Sequence, residues 1–111
     1  MSDLNMNWGI IDALFQLIKE RKASDASTSY TAKLFHQGTE KIAQKVGEEA
    51  TEIVIEAVKR DKEGVATESA DLLYHLLVLW ADQDVSPQDI LEILAKRQGI
   101  SGIDEKNSRQ N

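Results

Sequence analysis

The chain has 111 residues with 13 basic and 19 acidic side chains, a formal net charge of −6, which argues against a broad basic face for nucleic acid. It contains no cysteine, which excludes disulfides, thiolate metal sites and thiol nucleophiles and suits a cytoplasmic setting. The length fits one domain over 1–111 with a modest core, the opening MSDLNMNWGI lacks the basic flank of a secretory signal, and the apolar run 76–81 is too short to span a membrane.

One proline, six glycines and few aromatics point to helices. Five segments have helical periodicity and none reads as a strand, so the expected fold is an all-α antiparallel bundle of four to five helices. The first helix covers about 8–21 within an N-terminal region 1–22, with Ile10, Leu14, Leu17 and Ile18 at helical spacing. The linker 23–29 (ASDASTS) offers Ser and Thr caps for a short helix over 30–37, which Gly38 ends. Thr39 is the expected cap of a long helix reaching about residue 60, and 61–64 breaks it. A fourth helix is expected over 65–83. Ser86-Pro87 then reads as a cap followed by proline at the first helical position, opening a fifth helix to about 98. The stretch 99–111 is a tail without periodicity.

At 100° per residue, Lys41, Lys45, Glu48, Glu49, Glu52, Glu56 and Lys59 share an arc of about 100° on the long helix. Ile42, Ala43, Val46, Ala50, Ile53, Val54, Ala57 and Val58 occupy the rest. The fourth helix differs. Its stretch ADLLYHLLVLWA is apolar almost all round, which predicts burial in the core or at a subunit interface. Yet Glu68, Asp71 and His75 lie on one narrow arc of it, and polar groups on a buried helix need partners.

These spacings yield two acidic motifs, Glu48-Glu49-x-x-Glu52 and Glu68-x-x-Asp71, with 15 residues between Glu52 and Glu68. That interval suffices to end one helix, turn and return antiparallel, so the acidic faces can oppose each other. Acids at i, i+4 repel by about 0.2–0.5 kcal/mol per exposed pair, and more where the dielectric falls. A cation relieves this. Oxygen ligands without His or Cys favour Mg²⁺, with Mn²⁺ as a substitute, and magnesium takes substrate phosphates as further ligands. A solvated charged face explains the first motif alone; Glu68 and Asp71 on an apolar helix are harder to explain that way. A di-iron bundle needs Glu-x-x-His pairs, and neither His36 nor His75 has a glutamate three residues earlier.

The E-E-x-x-E and E-x-x-D pattern resembles the MazG-like all-α nucleotide pyrophosphatases. Ser29-Tyr30-Thr31-Ala32-Lys33-Leu34, Lys45-Val46-Gly47-Glu48-Glu49-Ala50-Thr51-Glu52, Glu68-Ser69-Ala70-Asp71-Leu72-Leu73-Tyr74-His75-Leu76, Arg97-x-Gly99-x-Ser101-Gly102 and Glu105-Lys106 are similar to the phosphoribosyl-ATP pyrophosphatases in particular. The resemblance covers about 29–109 and implies an enzyme of histidine biosynthesis that cleaves phosphoribosyl-ATP to phosphoribosyl-AMP and pyrophosphate. On that reading Glu49, Glu52, Glu68 and Asp71 ligate magnesium, and Glu48 either completes the shell or acts as the base that orients water. Lys33, Lys41 and Lys45 are candidates to neutralise phosphates, and Tyr30 to contact base or ribose. His75 is either a donor supporting a carboxylate or a satisfied core histidine. Arg97, Ser101, Lys106 and Arg109 either touch the ribose phosphate or form an ordered tail.

Two alternatives stand beside this reading: a MazG-like hydrolase of a free nucleoside triphosphate, and a helical assembly module without catalysis. Both enzyme and module imply association through fourth-helix surfaces, as a homodimer or tetramer. No nucleic-acid or membrane partner is expected.

Overall fold

The computed structural model describes residues 7–98, and within them the chain is five helices and no strand: α1 (Gly9–Arg21), α2 (Tyr30–Gln37), α3 (Thr39–Val58), α4 (Lys62–Asp82) and α5 (Pro87–Gln98). The expected tail 99–111, with Ser101, Lys106 and Arg109, lies outside the described residues. None of the described helices is long and apolar enough to cross a membrane.

The α3–α4 pair is the most extensively packed element of the fold. It is antiparallel, since Thr39 at the start of α3 donates its hydroxyl to Asp82 at the end of α4 (2.7 Å). The reversal is made by local backbone chemistry. Arg60 takes a left-handed conformation (φ 60°), the Arg60 N–H donates to the Ala57 carbonyl, and the Asp61 N–H donates to the Glu56 carbonyl. This is a Schellman C-terminus, which satisfies carbonyls that the helix end leaves free. Asp61 then caps α4, its carboxylate accepting from the Gly64 N–H (3.0 Å). The same C-terminal motif recurs after α4, with Asp84 left-handed (φ 58°) and the Val85 N–H donating to the Trp80 carbonyl.

Phe15 and Ile18 of α1, Leu34 of α2, Ile42 of α3 and Leu77, Val78 and Ala81 of α4 form the core. It sits toward one end of the α3–α4 pair, where α1 and α2 pack; the other end, nearer the turn, carries the acids. Ser29 caps α2 through the Ala32 N–H (3.1 Å). At α5 the Ser86 Oγ accepts from the Asp89 N–H (3.2 Å), while the Asp89 carboxylate accepts from the Ser86 N–H (2.8 Å). That reciprocal pair is a capping box, and Pro87 at the first helical position needs no donor of its own.

Four expectations change. Gly38 (φ 95°), not Thr39, is the α3 cap, because its backbone needs a conformation only glycine adopts freely; the Thr39 hydroxyl is spent on Asp82 instead. The α4 helix begins at Lys62 and takes in Gly64, since Asp61 supplies a cap that outweighs the glycine penalty. On α1, Phe15 and Ile18 are buried, whereas Ile10 and Leu17 are exposed. On α3 only Ile42 is fully buried, and Val54 and Val58 are 60% and 78% exposed. The exposed apolar surface thus lies on α3 and on α5 (Leu91, Ile93, Leu94) more than on α4.

Candidate metal and substrate site

Antiparallel packing brings one acid of α3 against two of α4. Carboxylate oxygens of Glu49, Glu68 and Asp71 all lie within 4.8 Å of one another, with Glu49 and Glu68 half-buried and Asp71 exposed. Glu68 and Asp71 are three residues apart on one helix face, so both point across to Glu49. Glu68 bears the strain of this arrangement. Burial, then a hydrogen bond with Glu49 and the charges of Asp71, Glu49 and Glu52, push its carboxyl above the ordinary glutamate value.

The other two acids of the expected set stand differently. Glu52 is exposed and outside the three-acid cluster, but its charge reaches Glu68. Glu48 turns along its own helix. It accepts from the Gln44 amide (2.8 Å) and pairs with Lys45 (3.4 Å), and these two donors hold its carboxyl below the ordinary value. Lys45 is pushed up in turn, first by its bond to Glu48 and then by the nearby Tyr30 hydroxyl. Lys41 adds a weaker charge effect on Glu48. Lys33 lines an open surface depression with Ala26, Ser27, Thr28, Ser29 and Tyr30.

Beneath this surface, His75 is buried and fully engaged. Its Nδ1 lies 2.8 Å from the main-chain carbonyl of Asp71 and its Nε2 3.0 Å from the Tyr30 hydroxyl. Its partner at Asp71 is thus the backbone, not the carboxylate. The neighbouring Tyr74 hydroxyl is hydrogen-bonded to the Thr31 hydroxyl. Gln44 was not singled out from sequence, and Thr31 and Tyr74 stood only within the family-like stretches, with no bond between them foreseen. Gln44 is detectable in principle, four residues before Glu48 on one face; the Thr31–Tyr74 bond depends on how α2 lies on α4, which periodicity does not encode. Arg97 sits in the last turn of α5, an element that packs on α1.

Three acids from two helices, with the repulsion written into Glu68, form a hard oxygen set suited to a divalent cation and, through it, to phosphates. Comparison with known proteins identifies the family. Residues 11–98 match the Phosphoribosyl-ATP pyrophosphohydrolase family. The chain is 57% identical over 110 residues to the phosphoribosyl-ATP pyrophosphatase of Azospirillum brasilense, covering 99% of each chain. It is 55% identical over 100 residues to the enzyme of that name from Paramagnetospirillum magneticum, covering 90% of this chain and 92% of the relative. The phosphoribosyl-ATP pyrophosphatase of Rhodospirillum rubrum is 54% identical over 101 residues, 91% of this chain and 86% of its own. With a family match that spans most of its length, this chain belongs to the phosphoribosyl-ATP pyrophosphohydrolase family.

Proposed function

We propose that this chain hydrolyses phosphoribosyl-ATP to phosphoribosyl-AMP and pyrophosphate, in an early step of histidine biosynthesis. The name borne by its relatives supports the substrate. The observation that carries the chemistry is the meeting of Glu49, Glu68 and Asp71 across α3 and α4.

The donor set fits a hard divalent ion: oxygen ligands only, mutually repelling, with one carboxyl displaced upward by burial and then by its acidic neighbours. Glu49, Glu68 and Asp71 would hold Mg²⁺, or Mn²⁺ in its place, and Glu52 would complete the set. Such an ion would supply positive charge for the triphosphate and for the negative charge that grows in the transition state. The chain's own residues do the rest. Lys45, already turned to Glu48, together with Lys41 and Lys33 balances phosphate charge on a surface that is otherwise acidic. Glu48 orients the attacking water and accepts its proton. The bonds from Gln44 and Lys45 fix its carboxylate and keep it ionised. Water oxygen joins the α-phosphorus, the α–β anhydride bond breaks, and pyrophosphate leaves. The chain works as a homodimer or tetramer, a reading that the exposed Val54 and Val58 on α3 support.

The test is a substrate panel. Pyrophosphate release is followed with phosphoribosyl-ATP and, in parallel, with free standard and modified nucleoside triphosphates. Preference for phosphoribosyl-ATP is expected; faster turnover of a free triphosphate overturns the assignment.

A further inference from the structure

Tyr30 and Thr31 are consecutive in the first turn of α2, and Tyr74 and His75 are consecutive in α4. Two side-chain bonds join them, Thr31 to Tyr74 and Tyr30 to His75. The second fixes a tautomer. The Asp71 carbonyl only accepts, so the His75 Nδ1 carries the proton; in the neutral ring Nε2 then accepts, and the Tyr30 hydroxyl donates to it. His75 is 7% exposed while Tyr30 is 52% exposed. The buried ring anchors, and the exposed ring is what it holds.

With its hydroxyl proton engaged by His75, Tyr30 offers solvent its ring rather than a free O–H donor. The two rings stand edge to face (centroids 5.9 Å apart, 87° between planes), which sets the orientation of the tyrosine plane. The exposed part borders the depression with Ser27 and Lys33, and the Tyr30 hydroxyl is joined through the His75 ring to the main chain of Asp71. A flat ring therefore lies one imidazole away from the turn of α4 that carries Asp71. Phosphates suit the lysines and the acid-bound cation. The feature left for the ring is a flat apolar group.

We infer that His75 is a positioning residue, holding the Tyr30 ring as a stacking platform for the purine base of the substrate. The inference rests on the nucleotide-hydrolase reading above. It assigns Tyr30 to base affinity and not to bond cleavage. Aromatic stacking of a base is worth about 1–3 kcal/mol, so losing the platform shows chiefly in KM.

The experiment is steady-state pyrophosphate release from phosphoribosyl-ATP by the full chain and five variants: Tyr30→Leu, Tyr30→Phe, His75→Asn, His75→Gln and the double variant Tyr30→Phe/His75→Asn. Tyr30→Leu is expected to raise KM about tenfold with kcat little changed. Tyr30→Phe and His75→Asn each raise it less, and the double variant is no worse than the stronger single one. His75→Asn keeps a donor for the Asp71 carbonyl but leaves Tyr30 unpaired; His75→Gln places an amide oxygen near the Nε2 position and restores KM. Additive effects in the double variant, or a fall in kcat with KM unchanged, overturn the inference. ¹⁵N NMR of His75 supplies a readout independent of turnover: removal of the Tyr30 hydroxyl in Tyr30→Phe shifts the Nε2 signal, and an unmoved signal overturns the bond itself. A wild-type chain that shows the NMR coupling but releases no pyrophosphate overturns the functional reading, and the assignment to a purine base with it.

Discussion

Glu49 of α3 and Glu68 of α4 meet across the helix pair, and Asp71 closes a cluster whose oxygens lie within 4.8 Å of one another. Three like charges so placed destabilise the metal-free fold, and a divalent ion binding them stabilises it by mass action. Mg²⁺ or Mn²⁺ is expected to raise the melting temperature by several degrees at saturation. Glu68→Gln is expected to melt higher than wild type in EDTA and to lose most of the response to the ion. Thermal melts with and without each ion check both halves; a variant that keeps the full response contradicts the cluster as the ion's seat.

The same repulsion has a pH signature. Burial, followed by the Glu49 hydrogen bond and the neighbouring acidic charges, raises the folded-state value of Glu68 above its ordinary 4.5. The folded chain therefore holds this proton more tightly than the unfolded one. The stability this contributes is complete below the unfolded value and lost as pH rises through the folded one. Glu48 runs the other way, because Gln44 and Lys45 lower it: its contribution is present above the unfolded value and lost as pH falls through the folded one. In EDTA, the gap in melting temperature between Glu68→Gln and wild type is expected to be widest at neutral pH and to narrow toward pH 4.5. A gap that does not change with pH contradicts this origin.

Both Schellman ends place a side-chain-bearing residue in the left-handed region, Arg60 (φ 60°) and Asp84 (φ 58°). Glycine avoids the Cβ clash there, worth about 1 kcal/mol for a typical residue. Arg60→Gly is expected to stabilise the chain by up to about that amount, less for the entropy glycine adds to the unfolded state. Urea denaturation measures it. Arg60 lies at the α3 end, away from the core, so a loss of more than about 1 kcal/mol contradicts the backbone account.

On α3, Val54 and Val58 stand one turn apart and largely exposed. If this face joins a second copy, Val54→Lys and Val58→Lys weaken association while leaving helicity intact, because neither side chain belongs to the core. Light scattering after gel filtration is expected to show a smaller species than wild type. An unchanged mass places the interface elsewhere.

The number, order and approximate limits of the helices were legible in the sequence because apolar periodicity, Gly38 and the Ser86-Pro87 cap act locally. What was missed is nonlocal or stereochemical. Nothing in the spacing says that the Thr39 hydroxyl leaves its own helix for Asp82, or that Gly64 stays helical once Asp61 caps it. The acids divide in the same way. A wheel groups Glu48, Glu49 and Glu52 on one arc, yet α4 meets only one edge of that arc. Glu49 is turned to Glu68, while Glu48, 100° away around the helix, is left to Gln44 and Lys45. His75 is the third case. The sequence left open a donor to a carboxylate or a satisfied core histidine; the ring is buried, reaching back one turn to the Asp71 carbonyl and across to Tyr30.

The central claim is that the acids shared by α3 and α4 drive pyrophosphate release from phosphoribosyl-ATP. The most direct test compares wild type with Glu49→Gln, Glu68→Gln and Asp71→Asn in one assay, with Mg²⁺ and with EDTA, after circular dichroism has established equal helicity. Wild type with Mg²⁺ is expected to yield equal amounts of phosphoribosyl-AMP and pyrophosphate, EDTA to abolish turnover, and each variant to lose about 100-fold or more in kcat. Turnover near the wild-type rate in all three folded variants, or undiminished turnover in EDTA, would contradict it.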